Sequence, residues 1–410
     1  MADAMDEAAG AWERIESHRK ADLTVRVTAP DGVPLPGRRV RLEQKGSAFL
    51  FGCNAFRLDP KDDGAQQRLY RQRFRDLLNY ATLPFYWGSY EPEPGRTSEE
   101  RLKGMARWCA ENGIVAKGHP LVWHEVYPAW ADQQEEPAVA LLEERVRQIV
   151  ARFRGLVDVW DVINESTTSE RFDNGMGRWA REVGMVEVAA ESLRWARSAN
   201  EDATLVLNDY NMTPDFERQI EELLAGERRP DVIGIQSHMH RGEWPLERAY
   251  EVCETYAQFG LPLHFTETSV LSGEHIPEGE TVGRYRPAHW PTTPEGEERQ
   301  LRYVEAFYTL LFSHPAVEAI TWWDLPDGCW MNAPSGLVRG DLSPKPAYER
   351  LLELVTREWR THAELGTDAE GKAGARAFLG SYRLTDVESG AAVEFEHAGG
   401  EPSQVELALP

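Results

Sequence analysis

Cysteine is scarce in this chain. Its 410 residues include four, Cys53, Cys109, Cys253 and Cys329, set far apart and with no Cys-x-x-Cys pair. That spacing argues against a disulfide framework or a zinc knuckle and for buried free thiols. Long apolar runs are also missing: none approaches the roughly 18 residues that a membrane helix needs. Met1–Gly10 is acidic and has no apolar h-region, so it does not read as a secretory signal. The compartment stays open between the cytoplasm and secretion with the signal removed. Positive charge is in deficit, 45 Lys and Arg against 68 Asp and Glu, for a formal net charge of −23. Nucleic acid and anionic membranes would be repelled, so neither is expected as a partner. A neutral polysaccharide or oligosaccharide is not repelled, and the acidity also serves solubility. No Gly-x-Gly-x-x-Gly follows an early strand, which weakens a dinucleotide-binding reading.

What the chain does have is alternation. It is 41% hydrophobic, enough for one large core and a smaller one. Short apolar runs lie at Ala48–Cys53, Leu77–Thr82, Val115–Val122, Val157–Ile163, Thr204–Leu207, Val232–Gln236, Leu261–Phe265 and Ala319–Trp323. Amphipathic stretches separate them, at Gln67–Leu78, Ser98–Asn112, Pro137–Phe153, Val186–Ala199, Pro214–Ala225, Pro245–Phe259 and Glu295–Ser313. Such alternation implies parallel strands joined by helical crossovers. Eight units across residues 47–365 predict an α/β fold, a closed (β/α)8 TIM barrel rather than an open doubly wound sheet.

The ends follow a different period. Leu23–Leu42 alternates apolar and polar residues around Pro30-Asp31-Gly32 and Pro36-Gly37, which predicts an antiparallel hairpin. Beyond Leu365, short strands are predicted at Ala375–Leu379, Tyr382–Asp386, Ala392–His397 and Val405–Leu409. Neither end has enough strands to be stable alone. Residues 1–46 and 366–410 are therefore expected to combine in one small β-sandwich, with the barrel inserted between them. The alternative is two separate hairpins packed on the barrel. Few aromatics fall in these ends, so a structural role is expected rather than a carbohydrate-stacking one.

Barrel enzymes collect their chemistry at the strand C-termini. Just past the predicted strands stand His119, Trp123 and His124, then Asn164 and Glu165, then Asn208, Asp209, Tyr210 and Asn211. Gln236, His238 and His240 follow the sixth strand, Glu267 the seventh, and Trp323, Asp327 and Trp330 the eighth. Aromatic faces suit the CH faces of sugars, and amides and carboxylates suit their hydroxyls. Glu165 and Glu267 each terminate an apolar strand, three barrel positions apart, so they can face each other across the mouth. Glycosidic cleavage needs such a pair: one acid to protonate the leaving oxygen and one carboxylate opposite it. His238-x-His240 also resembles the ligand pair of barrel metallohydrolases. Yet no Lys follows at a suitable strand end, and Asp209 and Asp327 are the only strand-end Asp candidates. No catalytic metal and no cofactor are expected.

At these residues the chain resembles family 10 glycoside hydrolases, the retaining β-1,4-xylanase family. The matches run in order over about 300 residues: Gly118-His119-Pro120-Leu121-Val122-Trp123-His124, Trp160-Asp161-Val162-Ile163-Asn164-Glu165, Asn208-Asp209-Tyr210-Asn211, Gln236-Ser237-His238, Thr266-Glu267, and a closing segment with Trp323, Asp327, Trp330 and Lys345-Pro346-Ala347-Tyr348. The resemblance implies that Glu165 is the general acid/base and Glu267 the nucleophile. It implies that Asn164 binds the sugar 2-hydroxyl and that His238 orients Glu267. It further implies that His119, Trp123 and Gln236 line the subsite at the cleavage point, beneath Trp323 and Trp330. Tyr210 and Trp87 join the expected substrate contacts. Burial and repulsion should raise the pKa of Glu165, while hydrogen bonds keep Glu267 ionised.

Three departures stand out. The family's second strand usually carries a polar Glu-Asn-x-Met-Lys-Trp cluster for the glycone-side sugar; here the stretch reads Thr82-Leu83-Pro84-Phe85-Tyr86-Trp87. Thr268-Ser269 stand where the family more often has Leu-Asp. The loop Ser272–Glu298 is long, with Tyr285, His289 and Trp290, and is expected to reshape one side of the cleft. The expected function is a monomeric retaining hydrolase of β-1,4-xylosidic bonds. The alternatives are the same chemistry on another β-glycan or on short oligosaccharides, acting from a chain end, and a carbohydrate-binding protein on a catalytically dead barrel.

Overall fold

The computed structural model describes residues 2–134, 137–399 and 403–409, with side chains from Gly10 onward. After a helix at Ala2–His18 come strands β1 (Lys20–Thr28) and β2 (Arg39–Ser47). Eight more follow: β3 (Leu50–Asn54), β4 (Tyr80–Pro84), β5 (Val115–His119), β6 (Val159–Asn164), β7 (Thr204–Asp209), β8 (Val232–Met239), β9 (Leu263–Val270) and β10 (Val317–Trp322). The last five are β11 (His362–Gly366), β12 (Lys372–Phe378), β13 (Gly380–Asp386), β14 (Ala392–His397) and β15 (Ser403–Ala408). The chain forms two compact units. One comprises Met1–Leu50, Glu305–Pro315 and Tyr348–Pro410; the other comprises Phe51–Val304 and Ala316–Ala347.

Strands β3 to β10 close into a parallel barrel in chain order, with β10 beside β3. Every predicted barrel strand is present. The runs are apolar throughout because helices cover the outer face and packed side chains fill the inner one. The helix Ala138–Phe153 shows the matching pattern. It buries Leu142, Val146, Ile149, Val150 and Phe153, a stripe at helical spacing. The predicted helix Val186–Ala199 extends back to Gly175 and changes direction at Gly184, where φ is 81°. Three glycines, at 175, 177 and 184, hide the earlier turns from the sequence pattern, and the Asn174 side chain caps them by accepting from the Gly177 amide at 3.0 Å.

The barrel pairing carries irregularities just before the two acids. In β6 the pairing with β7 steps from Asp161↔Val206 to Ile163↔Leu207, so Val162 is the extra residue and Asn164 then faces Asn208. In β9 the pairing with β8 steps from Ile235↔Phe265 to Gln236↔Glu267, with Thr266 extra. Each bulge re-aims the side chains that follow it.

The other unit holds two sheets, a three-stranded one in the order β12-β1-β15 and a four-stranded one in the order β11-β2-β13-β14. They share one core. Leu23, Val25 and Val27 from the first pack with Val40, Leu42, Tyr382 and Leu384 from the second. Both termini therefore contribute to one sandwich, as expected. The predicted hairpin at Leu23–Leu42 does not form: β1 and β2 alternate correctly but belong to different sheets. Only a short antiparallel contact links the strand to its connector: the bridge Thr28↔Pro34, with the Ala29 amide donating to the Val33 carbonyl at 2.8 Å and the Leu35 amide to the Val27 carbonyl at 2.9 Å. Pro34 and Pro36 have no amide hydrogen to continue a ladder, so the chain turns over to the opposite sheet. Strand β11 was also absent from the sequence reading.

Candidate active site

The first requirement is a rigid backbone beneath the acids. Glu165 follows β6 directly, and its amide donates to the Asn208 carbonyl at 2.8 Å. Its φ is 56°, in the left-handed region that a residue with a Cβ rarely occupies. The surrounding hydrogen bonds must hold it there. Glu267 lies within β9, where every residue from Leu263 to Val270 is buried.

Asparagines connect the two acids. Asn164 Nδ2 donates to Glu165 Oε1 at 3.2 Å. Asn208 Nδ2 donates both to Asn164 Oδ1 at 2.7 Å and to Glu267 Oε1 at 3.1 Å. Gln236 Nε2 reaches Glu165 Oε1 at 2.9 Å, and the Trp123 indole reaches Oε2 at 3.1 Å. On the other side, His238 Nε2 lies 3.1 Å from Glu267 Oε2, while its Nδ1 contacts Ser269 Oγ at 2.7 Å. Ser269, one of the departures from the family pattern, thus fixes the ring that faces Glu267.

A buried charge chain supports this layer. His119 Nδ1 is 2.7 Å from Asp161 Oδ2, and Lys117 Nζ is 2.8 Å from the same oxygen. All three side chains are essentially sealed from solvent. The other His119 nitrogen points to Glu267, 3.8 Å from Oε1. Asp161 stays below the usual carboxylate range. Burial opposes its ionisation, but Lys117 and His119 outweigh that.

The two glutamates differ in electrostatics. Burial above all, and then the charge of Glu267, push Glu165 up to about 8. Among the described residues, no cation hydrogen-bonds it. Burial also works against ionisation of Glu267, but the hydrogen bond from His238 and the fields of His119 and His238 prevail. Glu267 is held below its ordinary value. These surroundings favour the proton on one acid and the charge on its neighbour, which is what paired acid and nucleophile chemistry needs.

Aromatic rings enclose the pair. Trp323 meets His119 edge-on at 5.2 Å and Phe56 at 5.2 Å. Trp330 stacks on His238 at 5.0 Å and donates from its indole to His240 Nε2 at 2.9 Å. His240 is therefore buried under Trp330, one residue past the end of β8. Tyr210 is 46% exposed at the rim. Trp87 lies apart from the set: its ring packs on Tyr127 and Trp130, and its indole donates to Glu91. The neighbouring Tyr86 takes the place expected of it, 5.4 Å from both His119 and Trp123. The long loop is packed, not open. Ile276, Val282, Tyr285 and Trp290 form an apolar cluster with Leu271, Met331, Ala333 and Trp330. It backs the tryptophan that covers His238.

The sequence reading named the acids, Asn164, His119, Trp123, Gln236, His238, Trp323 and Trp330, and all of these converge. Lys117 and Asp161 have no role in that reading. Their signal was visible, since two opposite charges interrupt adjacent apolar strands.

Residues 46–354 match the sequence profile described as "Glycosyl hydrolase family 10". Among curated relatives, the chain is 29% identical over 288 residues to "Endo-1,4-beta-xylanase B" of Thermotoga neapolitana, covering 66% of this chain and 78% of that one. It is 24% identical over 375 residues to "Endo-1,4-beta-xylanase 5" of Arabidopsis thaliana, covering 86% of this chain and 58% of the relative. Among solved structures, xylanase 10B from Thermotoga petrophila RKU-1 in complex with xylobiose superposes with a TM-score of 0.61 at 24% identity. That match covers 75% of this chain and 94% of the other.

Proposed function

The chain belongs to glycosyl hydrolase family 10, and on that premise we propose that it cleaves β-1,4-xylosidic bonds in xylan-type chains by double displacement. Glu165 donates its proton to the glycosidic oxygen as the Glu267 carboxylate attacks the anomeric carbon. The leaving sugar departs with that proton, and the other sugar stays bonded to Glu267. Glu165, now a carboxylate, takes a proton from an incoming water. The oxygen of that water attacks the anomeric carbon and releases Glu267. Two inversions give net retention. Asn164 serves the sugar 2-hydroxyl, and His238 positions Glu267. His119, Trp123, Gln236 and Tyr210 contribute further sugar contacts, roofed by Trp323 and Trp330. A monomer suffices, since every group named comes from one chain, and the terminal sandwich is structural.

The observation that carries this reading is a pair of acids linked through Asn164 and Asn208, one among neutral partners and the other facing two histidines. The test is hydrolysis of defined β-xylo-oligosaccharides with the anomeric form of the first product recorded. A β-anomer is expected; an α-anomer would overturn double displacement.

A second reading keeps the chemistry and shortens the substrate. Phe56 meets both Tyr86, at 5.7 Å, and Trp323, so aromatic rings rather than charged donors occupy this side of the subsite. That composition favours release from a chain end or action on short oligosaccharides. On linear xylan, a spread of internal fragments supports the first reading and a single small product the second.

A further inference from the structure

We propose that His124, Glu125 and Glu165 form a binding site for a divalent transition ion of the zinc type, and that its occupancy blocks turnover. Binding follows from geometry alone; the block also requires Glu165 to be the proton donor proposed above.

His124 is 1% exposed, and neither ring nitrogen has a hydrogen-bond partner among the described residues. A sealed imidazole without partners is unusual, because buried polar atoms are nearly always satisfied. The ring is firmly held. It lies on Phe172 with centroids 4.0 Å apart. Its carbonyl accepts from Asn174 Nδ2 at 2.8 Å, and two residues earlier Val122 pairs with Ile163 of β6. Held this way, Nε2 points toward the acid, 3.8 Å from Glu165 Oε2.

That separation suits a shared ion. With bonds of about 2.1 Å, two ligands of one zinc stand roughly 3.4 Å apart at the tetrahedral angle and about 4.2 Å apart when opposed. The observed 3.8 Å falls between these limits. Glu125 completes the set: ligand atoms of all three residues lie within 4.8 Å of one another. Glu125 is exposed, so a side-chain rotation closes the remaining gap and water fills the fourth position. An imidazole with two carboxylates favours zinc, cobalt, nickel or copper over calcium and magnesium, which prefer oxygen alone. The bound ion would hold Glu165 as a carboxylate with no proton to give to the leaving oxygen.

The test titrates the full chain with Co2+, then displaces it with Zn2+, and follows xylo-oligosaccharide hydrolysis in parallel. One equivalent of Co2+ should give a visible d–d band without thiolate charge transfer, which separates this site from the cysteines. Zn2+ should remove the band and stop turnover at the same midpoint, whereas Ca2+ and Mg2+ should do neither. Glu125→Gln should weaken Zn2+ binding and inhibition by ~10-fold or more, each measured against that variant's own metal-free rate. His124→Gln, with folding checked by circular dichroism, should abolish both. No band at millimolar Co2+, a thiolate band, or unchanged binding in both variants would overturn the site. Occupancy at this site with undiminished turnover would uphold the site and overturn Glu165 as the proton donor.

Discussion

Strand β9 of the barrel and strand β13 of the sandwich bury their polar residues under different rules. Along β13 the alternation is strict: Tyr382, Leu384 and Asp386 are buried, Arg383 is exposed, and Ser381 and Thr385 lie between. Polarity there mostly marks the side facing water. The exception, Asp386, has a cation: Arg38 Nε donates to it at 3.0 Å and Ser389 Oγ at 2.7 Å. Burial opposes its ionisation, yet Arg38 and Ser389 bring it down to about 2. Along β9 there is no alternation, and Thr266, Glu267, Thr268 and Ser269 are all buried. Nearby Glu165 has amides and an indole for partners but, among the described residues, no cation in hydrogen-bond reach, and it sits at about 8. A buried carboxylate locked to an arginine belongs to the architecture. A half-buried one left to neutral partners beside a second acid is poised to exchange a proton.

The largest test of that contrast is Glu267→Gln. Turnover should fall by ~10^4-fold or more, as for other residues that act as a catalytic unit, while the melting temperature changes little. Measurable turnover in this variant would place Glu267 with Asp386 on the architectural side. Next comes Asp161→Asn, which leaves Lys117 as a buried cation without its counter-charge. It should cost about 3–5 kcal/mol in the denaturant midpoint; a cost under 1 kcal/mol would mean that the charge chain beneath His119 is not structural. The pH profile sharpens the comparison from the other side. The proposed mechanism needs Glu165 protonated, so kcat/KM should fall about tenfold per unit as pH rises beyond about 8. Glu267 must be ionised, so the acid limb should appear only below the ordinary glutamate range. An alkaline limb near 5 would remove the distinction between the two acids. The smallest effect is expected from Asp386→Asn. Arg38 keeps access to water, so the loss should be about 1–2 kcal/mol. It should vanish as pH falls through the depressed pKa, where the wild-type carboxylate is itself protonated.

Much of this was legible in the sequence. Eight apolar runs separated by helical stripes implied the barrel because both strand faces are covered there. The acids were visible because each ends such a run. What escaped has physical reasons. The bulges at Val162 and Thr266 leave no trace in polarity, since an extra apolar or small residue keeps the run intact. The partner of β1 could not be read because alternation fixes which face is buried but not which strand lies alongside. Tyr86 and Trp87 are adjacent aromatics just past β4, and only the turn there decides which of them faces His119. Lys117 and Asp161 were each readable as a charge inside a strand, but their pairing depends on barrel neighbours 44 positions apart in the chain.

The left-handed backbone at Glu165 has a consequence for how this protein would change under selection. A residue held at φ 56° carries a conformational cost of about 1–3 kcal/mol. Asparagine or glycine would bear that backbone more easily and would bring no carboxylate into the site. A library of variants sorted only for resistance to heat should therefore drift away from glutamate at this position. On the proposed role of Glu165 as proton donor, the reaction is what would retain it, and position 165 would record whether a lineage has been kept for durability or for turnover.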